Sequence, residues 1–79
     1  MEKGIAKALQ IRKQVAKEYG VTEKELIGDQ RSNILTAARW DAYSRIADQT
    51  ILNFTEIGKL FNRDRTTITH GINKFDNEN

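Results

Sequence analysis

The sequence contains no cysteine and no proline among its 79 residues. Without thiols there is neither a disulfide framework nor a thiolate metal site. A single histidine, His70, excludes a multi-histidine metal centre. No apolar run comes near the roughly 20 residues that a membrane-spanning helix needs. Met1-Glu2-Lys3-Gly4 lacks the apolar core of a signal peptide. No proline and only five glycines suit helices joined by short turns. The expectation is an intact cytosolic protein with one small domain over residues 1–79. Its stability should be modest, because a short chain buries a limited share of its surface.

Charge of one sign is also scarce. The formal net charge is only +2. Its distribution says more. Residues 1–30 carry six basic and five acidic side chains, whereas residues 31–75 carry seven basic and four acidic. Asp76 and Glu78 then make an acidic tip, expected to be disordered over 76–79. The basic excess in the second half hints at a polyanionic partner.

Apolar spacing predicts helices throughout and no strand. The first, about 3–19, places Ile5, Ala8, Leu9, Val15, Ala16 and Tyr19 at helical intervals. Lys3, Lys7, Lys13 and Lys17 keep its other face soluble. Gly20 suits the left-handed residue after a helix. Thr22-Glu23-Lys24-Glu25 is a capping box that starts a short helix ending at Gly28, with Leu26 and Ile27 as core contacts. Residues 28–32 read as a loop. A longer helix over about 33–48 has Ile34, Ala38, Ala42 and Ile46 on one face, with Trp40 and Tyr43 on another. Asn53 and Glu56 form a second capping box, opening a helix over about 54–61 that buries Phe54, Ile57, Leu60 and Phe61. Gly58 in mid-helix costs about 1 kcal/mol relative to alanine. Close approach of neighbouring backbone would explain it. Asn62-Arg63-Asp64 is a tight turn, and Asp64 caps a last helix over about 65–75. A short helix, a three-residue turn and a longer helix have the spacing of a helix-turn-helix.

On the last helix, Ile68, Ile72 and Phe75 fall within about 60° of one another and form the buried stripe. Thr66, Thr67, His70, Asn73 and Lys74 lie on the opposite side, with Arg63, Asp64 and Arg65 at its start. Such a face is either an ordinary solvated surface or a duplex reader. Threonine offers a hydroxyl and a methyl, while Asn, His and Arg reach base edges. The helix N-terminus adds free N–H groups for phosphate. His70 lacks a nearby Cys or Ser with a third orienting partner, so nucleophilic catalysis has no constellation here. Trp40 and Tyr43 read as packing before they read as a stacking platform.

The run Glu56-Ile57-Gly58-Lys59-Leu60-Phe61-Asn62-Arg63-Asp64-Arg65-Thr66-Thr67-Ile68, with His70 after it, resembles the signature of the C-terminal DNA-binding domain of the bacterial replication initiator DnaA. Gly28-Asp29-Gln30-Arg31-Ser32 resembles that family's basic loop, and Ala38-Arg39 matches its central helix. Val15 to Thr22 resembles its first helix and turn. The likeness covers about residues 5–75. It implies an all-α fold of five helices with a C-terminal helix-turn-helix, of the DnaA C-terminal and Trp-repressor-like type.

The resemblance also implies roles. Arg31 corresponds to the loop arginine that enters the minor groove. Ser32 and Arg39 correspond to phosphate contacts. Asp64 corresponds to an acceptor from a base amino group, a role compatible with capping. Thr66 and Thr67 correspond to contacts with thymine methyls and phosphate, and His70 and Lys74 to contacts with the backbone. Lys59, Arg63 and Arg65 complete the candidate DNA-binding set. Arg65 stands where the family usually has histidine. It is either a guanine reader or a phosphate anchor. The turn is one residue shorter than in many members, and Asp41 on an expected core face has no explanation in the sequence.

The expected function is sequence-specific binding of double-stranded DNA at DnaA-box-like sites, in or modulating replication initiation. With five phosphates neutralised, log K should fall with log[salt] at a slope of about −4 to −5. No G-x-x-x-x-G-K-[ST] loop is present, so no P-loop ATPase activity is expected. No cofactor, metal, small-molecule substrate or membrane is implied. The implied partners are double-stranded DNA and host DnaA or other replication proteins, for a monomer or weak dimer in the cytoplasm at the nucleoid. Family analogy points to a bacterial, phage or prophage source. Two alternatives stand beside this. One is a small helix-turn-helix transcriptional regulator with an unrelated operator. The other is a replication-partner interaction module that binds no DNA and exposes Trp40 and Tyr43 as a patch.

Overall fold

The computed structural model describes residues 4–78. Met1, Glu2 and Lys3 of the N-terminal reading, and Asn79 of the acidic tip, lie outside it. The described chain forms α1 (Ile5–Tyr19), α2 (Glu23–Ile27), α3 (Asn33–Gln49), α4 (Phe54–Leu60) and α5 (Arg65–Glu78). No strand occurs among the described residues. The fold is all-α.

Each boundary has a local cause. Gly20 adopts φ 69°, and the Val21 N–H returns to the Ala16 carbonyl, closing α1 with a left-handed cap. Both predicted capping boxes form. The Thr22 hydroxyl accepts from the Glu25 N–H at 3.0 Å, and the Asn53 side chain accepts from the Glu56 N–H at 2.8 Å. The Ser32 hydroxyl accepts from the Leu35 N–H at 3.1 Å and starts α3. Asp64 does the same for α5 through the Thr67 N–H at 2.9 Å.

Helix α3 is the central element and packs against each of the other four helices. It therefore buries residues around most of its circumference: Leu35, Ala38, Arg39, Asp41, Ala42, Tyr43 and Ile46. Tyr43 and Phe61 meet edge-to-face with ring centroids 4.9 Å apart, joining α3 to the end of α4. Ile57 and Ile68 complete that side of the core.

Several expected core positions shift. Ile11 is buried on α1, whereas Ile5 and Leu9 are exposed. On α3, Leu35 is buried and Ile34 faces solvent. Phe54, at the first position of α4, is exposed rather than buried. Helix α5 runs on to Glu78, and the Asp76 carboxylate accepts from the Ser44 hydroxyl at 3.0 Å.

Candidate nucleic-acid interface

The interface is built on the junction of α4 and α5. Gly58 is buried, and a Cβ there would collide with the carbonyl oxygen of Arg63. Glycine is needed so that the turn can fold back on α4. Its carbonyl accepts from the N–H groups of Phe61 at 3.0 Å and Arg63 at 2.8 Å. Asn62 takes the left-handed conformation at φ 57°, which asparagine tolerates better than most residues. The chain is thus reversed in four residues, 61–64, and α5 leaves the turn capped by Asp64.

Ile68 is fully buried, and Ile72 packs partly buried against the core. This fixes the rotation of α5. Arg65, Thr66, Thr67, His70, Asn73 and Lys74 are all exposed on its outer side, as the helical wheel predicts. Lys59 is exposed on α4. Arg31 and Ser32 are exposed on the loop before α3.

One cleft joins these parts. It is lined by Asp29, Arg31 and Thr36 on one side and Thr67 and His70 on the other, with Trp40 also on its wall. The His70 ring stands edge-on to Trp40, with centroids 6.0 Å apart. Gly71 allows this approach. A Cβ at Gly71 would lie 2.6 Å from Trp40 Cδ1 and 2.8 Å from Tyr43 Cδ2. Nothing in the periodicity singled out Gly71, because its role depends on which helix lies opposite.

Two candidate residues are placed otherwise than expected. Arg39 is only 6% exposed, and its guanidinium is turned inward. Nε donates to Leu26 O at 2.9 Å, and Nη2 to the carbonyls of Glu25, Gly28 and Gln30. Burial and the neighbouring Arg63 charge push its pKa below the ordinary arginine value. The expected phosphate contact thus falls on a guanidinium whose Nε and Nη2 already donate to backbone oxygens. Arg63, half-buried, also bonds backbone oxygens. Its Nη1 donates to Phe61 O at 2.8 Å, and its Nη2 to Gly28 O at 2.6 Å. Both arginines hold the loop, and both also line the cleft.

The bacterial DnaA protein helix-turn-helix family matches residues 8–75. The chain belongs to that family. Its members are DNA-binding domains whose partner is the DNA duplex, not catalytic ones. Among relatives is the chromosomal replication initiator protein DnaA of Rhizobium meliloti (strain 1021), 34% identical over 67 residues, covering 84% of this chain and 14% of that protein. Another is the DnaA of Streptococcus mutans serotype c (strain ATCC 700610 / UA159), 38% identical over 68 residues, covering 85% and 15%. The chain spans about a seventh of the length of these relatives.

In this DnaA-type domain two acidic groups stand at the candidate interface, Asp29 on the cleft wall and Asp64 at the start of α5, while others are paired elsewhere. Asp41 and Glu18 both pair with Arg45 and, with Tyr19, form a network that joins α1 to α3. The Tyr19 hydroxyl donates to Asp41 at 2.7 Å. This explains the carboxylate on the core side of α3. Asp64 instead accepts from the first turn of α5. Hydrogen bonds from the backbone and hydroxyl of Thr67 hold its carboxyl below the ordinary aspartate value, so it is a committed acceptor at the start of α5. Tyr43 is 1% exposed, so the Trp40–Tyr43 surface patch that a DNA-free interaction module required does not exist. No described helix is long and apolar enough to cross a membrane.

Proposed function

We propose that this chain reads a DnaA-box-like duplex site through two adjacent grooves and acts in, or modulates, replication initiation. Helix α5 enters the major groove with Asp64, Arg65, Thr66 and Thr67 toward base edges and the nearest phosphates. Arg31 reaches into the neighbouring minor groove, whose A·T-rich form attracts arginine. Ser32, Lys59, His70 and Lys74 meet the sugar–phosphate backbone. The carrying observation is that Arg31, Thr67 and His70 line a single cleft. A strand of duplex backbone separates a minor groove from the next major groove, and the cleft gives that strand a place to run.

The sequence context supports the replication role. The relatives are replication initiators, and binding the same boxes would set this chain in competition or co-operation with such an initiator. These 79 residues hold no nucleotide-binding loop, so the proposal concerns binding alone.

In vitro selection from a random duplex library tests the reading. Enrichment of an asymmetric, A·T-rich box supports it. An inverted repeat bound by a dimer would move the assignment to a transcriptional regulator, and no enrichment would overturn sequence-specific binding.

A further inference from the structure

A helix end leaves its last carbonyls without intrahelical partners. Gly28, after α2, is extended at φ −87°, so no left-handed cap returns N–H groups to them. Two guanidiniums supply the donors instead. Arg39, from α3, takes Glu25, Leu26, Gly28 and Gln30. Arg63, from the turn between α4 and α5, takes Ile27 at 3.3 Å and Gly28 at 2.6 Å. The Gly28 carbonyl is thus shared by both, with Arg39 Nη2 at 3.1 Å.

We propose that Arg39 and Arg63 are positioning residues that fix the spacing between the Arg31 loop and α5, and thereby set sequence discrimination rather than general DNA affinity. The proposal rests on the two-groove reading above. Gln30, held by Arg39 at 2.7 Å, immediately precedes Arg31. Arg63 immediately precedes Asp64, the cap of α5. One carbonyl therefore ties together the bases of both reading elements. Two readers select a sequence jointly only when their separation is held to about half an ångström. The chemistry favours arginine. Its rigid fork reaches several acceptors at once, whereas a lysine ammonium is a single point on a flexible stem. Two like charges side by side, one buried, are unfavourable in themselves. A stability role alone would be met with less repulsion by one donor.

The test measures dissociation constants of the wild type, Arg39→Lys and Arg63→Lys, each also in an Arg31→Ala background. The probes are the selected duplex and a scrambled duplex of equal length at one salt concentration. Each lysine variant should lose about tenfold in the selected-to-scrambled ratio, or about 1.4 kcal/mol. Because charge is retained, affinity for the scrambled duplex and the salt slope should stay unchanged. With Arg31 absent, the lysine changes should cost no further discrimination. Amide exchange over residues 29–32 should accelerate in Arg39→Lys without DNA. An unchanged ratio in both variants, or an equal loss with Arg31 absent, overturns the proposal, even if exchange accelerates. If Arg39→Lys does not fold, Arg63→Lys, at a half-buried position, carries the same test. If the wild type itself does not discriminate, the two-groove reading falls and this proposal falls with it. Intact wild-type discrimination with unaffected variants removes the positioning role alone.

Discussion

The Gly58 Cα lies so close to the Arg63 carbonyl that no side chain fits between them, which couples helix α4 directly to the turn before α5. In an unconstrained helix, replacing glycine by alanine would gain about 1 kcal/mol. Here the methyl would meet backbone, which cannot rotate away. Gly58→Ala should therefore destabilise the fold by about 1–3 kcal/mol. Urea unfolding monitored by circular dichroism measures this, and a stabilised variant would contradict the packing.

A second expectation concerns the Tyr19–Asp41 hydrogen bond. Donation to Asp41, then burial and the Asp41 charge, raise the Tyr19 pKa from its ordinary 10.0 to about 12. The folded value is above the unfolded one, so the protonated phenol stabilises the fold. That contribution is complete below about pH 10 and is lost as pH rises from 10 to 12. The stability gap between wild type and Tyr19→Phe should therefore narrow across that window. A gap that stays constant to pH 12 would mean the phenol proton is not held by Asp41. Asp41→Ala, which removes the acceptor of the Tyr19 hydroxyl and leaves Arg45 with Glu18 alone, should cost about 2 kcal/mol near neutral pH.

How far the sequence disclosed this molecule depends on the range of each interaction. Capping boxes at Thr22 and Asn53, the Gly20 cap and the Asp64 cap act within a few residues, and all were legible. So was the outer face of α5, because one buried stripe sets its rotation. The burial of Ile11 and Leu35 instead of Leu9 and Ile34 was not. Periodicity gives a stripe, but only the crossing partner decides which edge of it is covered. Arg39 shows the same limit at the site. Its resemblance to a phosphate contact came from the motif, whereas its burial follows from α2 ending against α3. Gly71 and Asp41 also take their meaning from partners far along the chain.

Asp64 has two separable tasks. As a cap it needs only an oxygen for the Thr67 N–H, and asparagine supplies one. As a base contact it must be a pure acceptor facing an amino group. Asp64→Asn should leave stability within about 0.5 kcal/mol and weaken binding to the selected duplex by about 1–3 kcal/mol. Asp64→Ala should additionally lose about 1 kcal/mol of stability. Calorimetric melting and titration binding on the same samples separate the two. Equal binding by wild type and Asp64→Asn would leave Asp64 as a cap alone.

The inward orientation of Arg39 and Arg63 alters the expected salt dependence. The exposed cations left at the interface are Arg31, Lys59, Arg65 and Lys74. Four neutralised phosphates give a slope of log K against log[salt] of about −3 to −4, shallower than a set that includes Arg39. Arg31→Ala should reduce the slope by about one and weaken binding to the selected duplex by about 1–3 kcal/mol. Trp40 is the sole tryptophan and stands beside His70 on the cleft wall, so its fluorescence provides the titration signal. A duplex seated in the cleft should change that emission in the wild type. Binding with an unchanged Trp40 signal and a slope near zero would place the nucleic acid elsewhere on the surface.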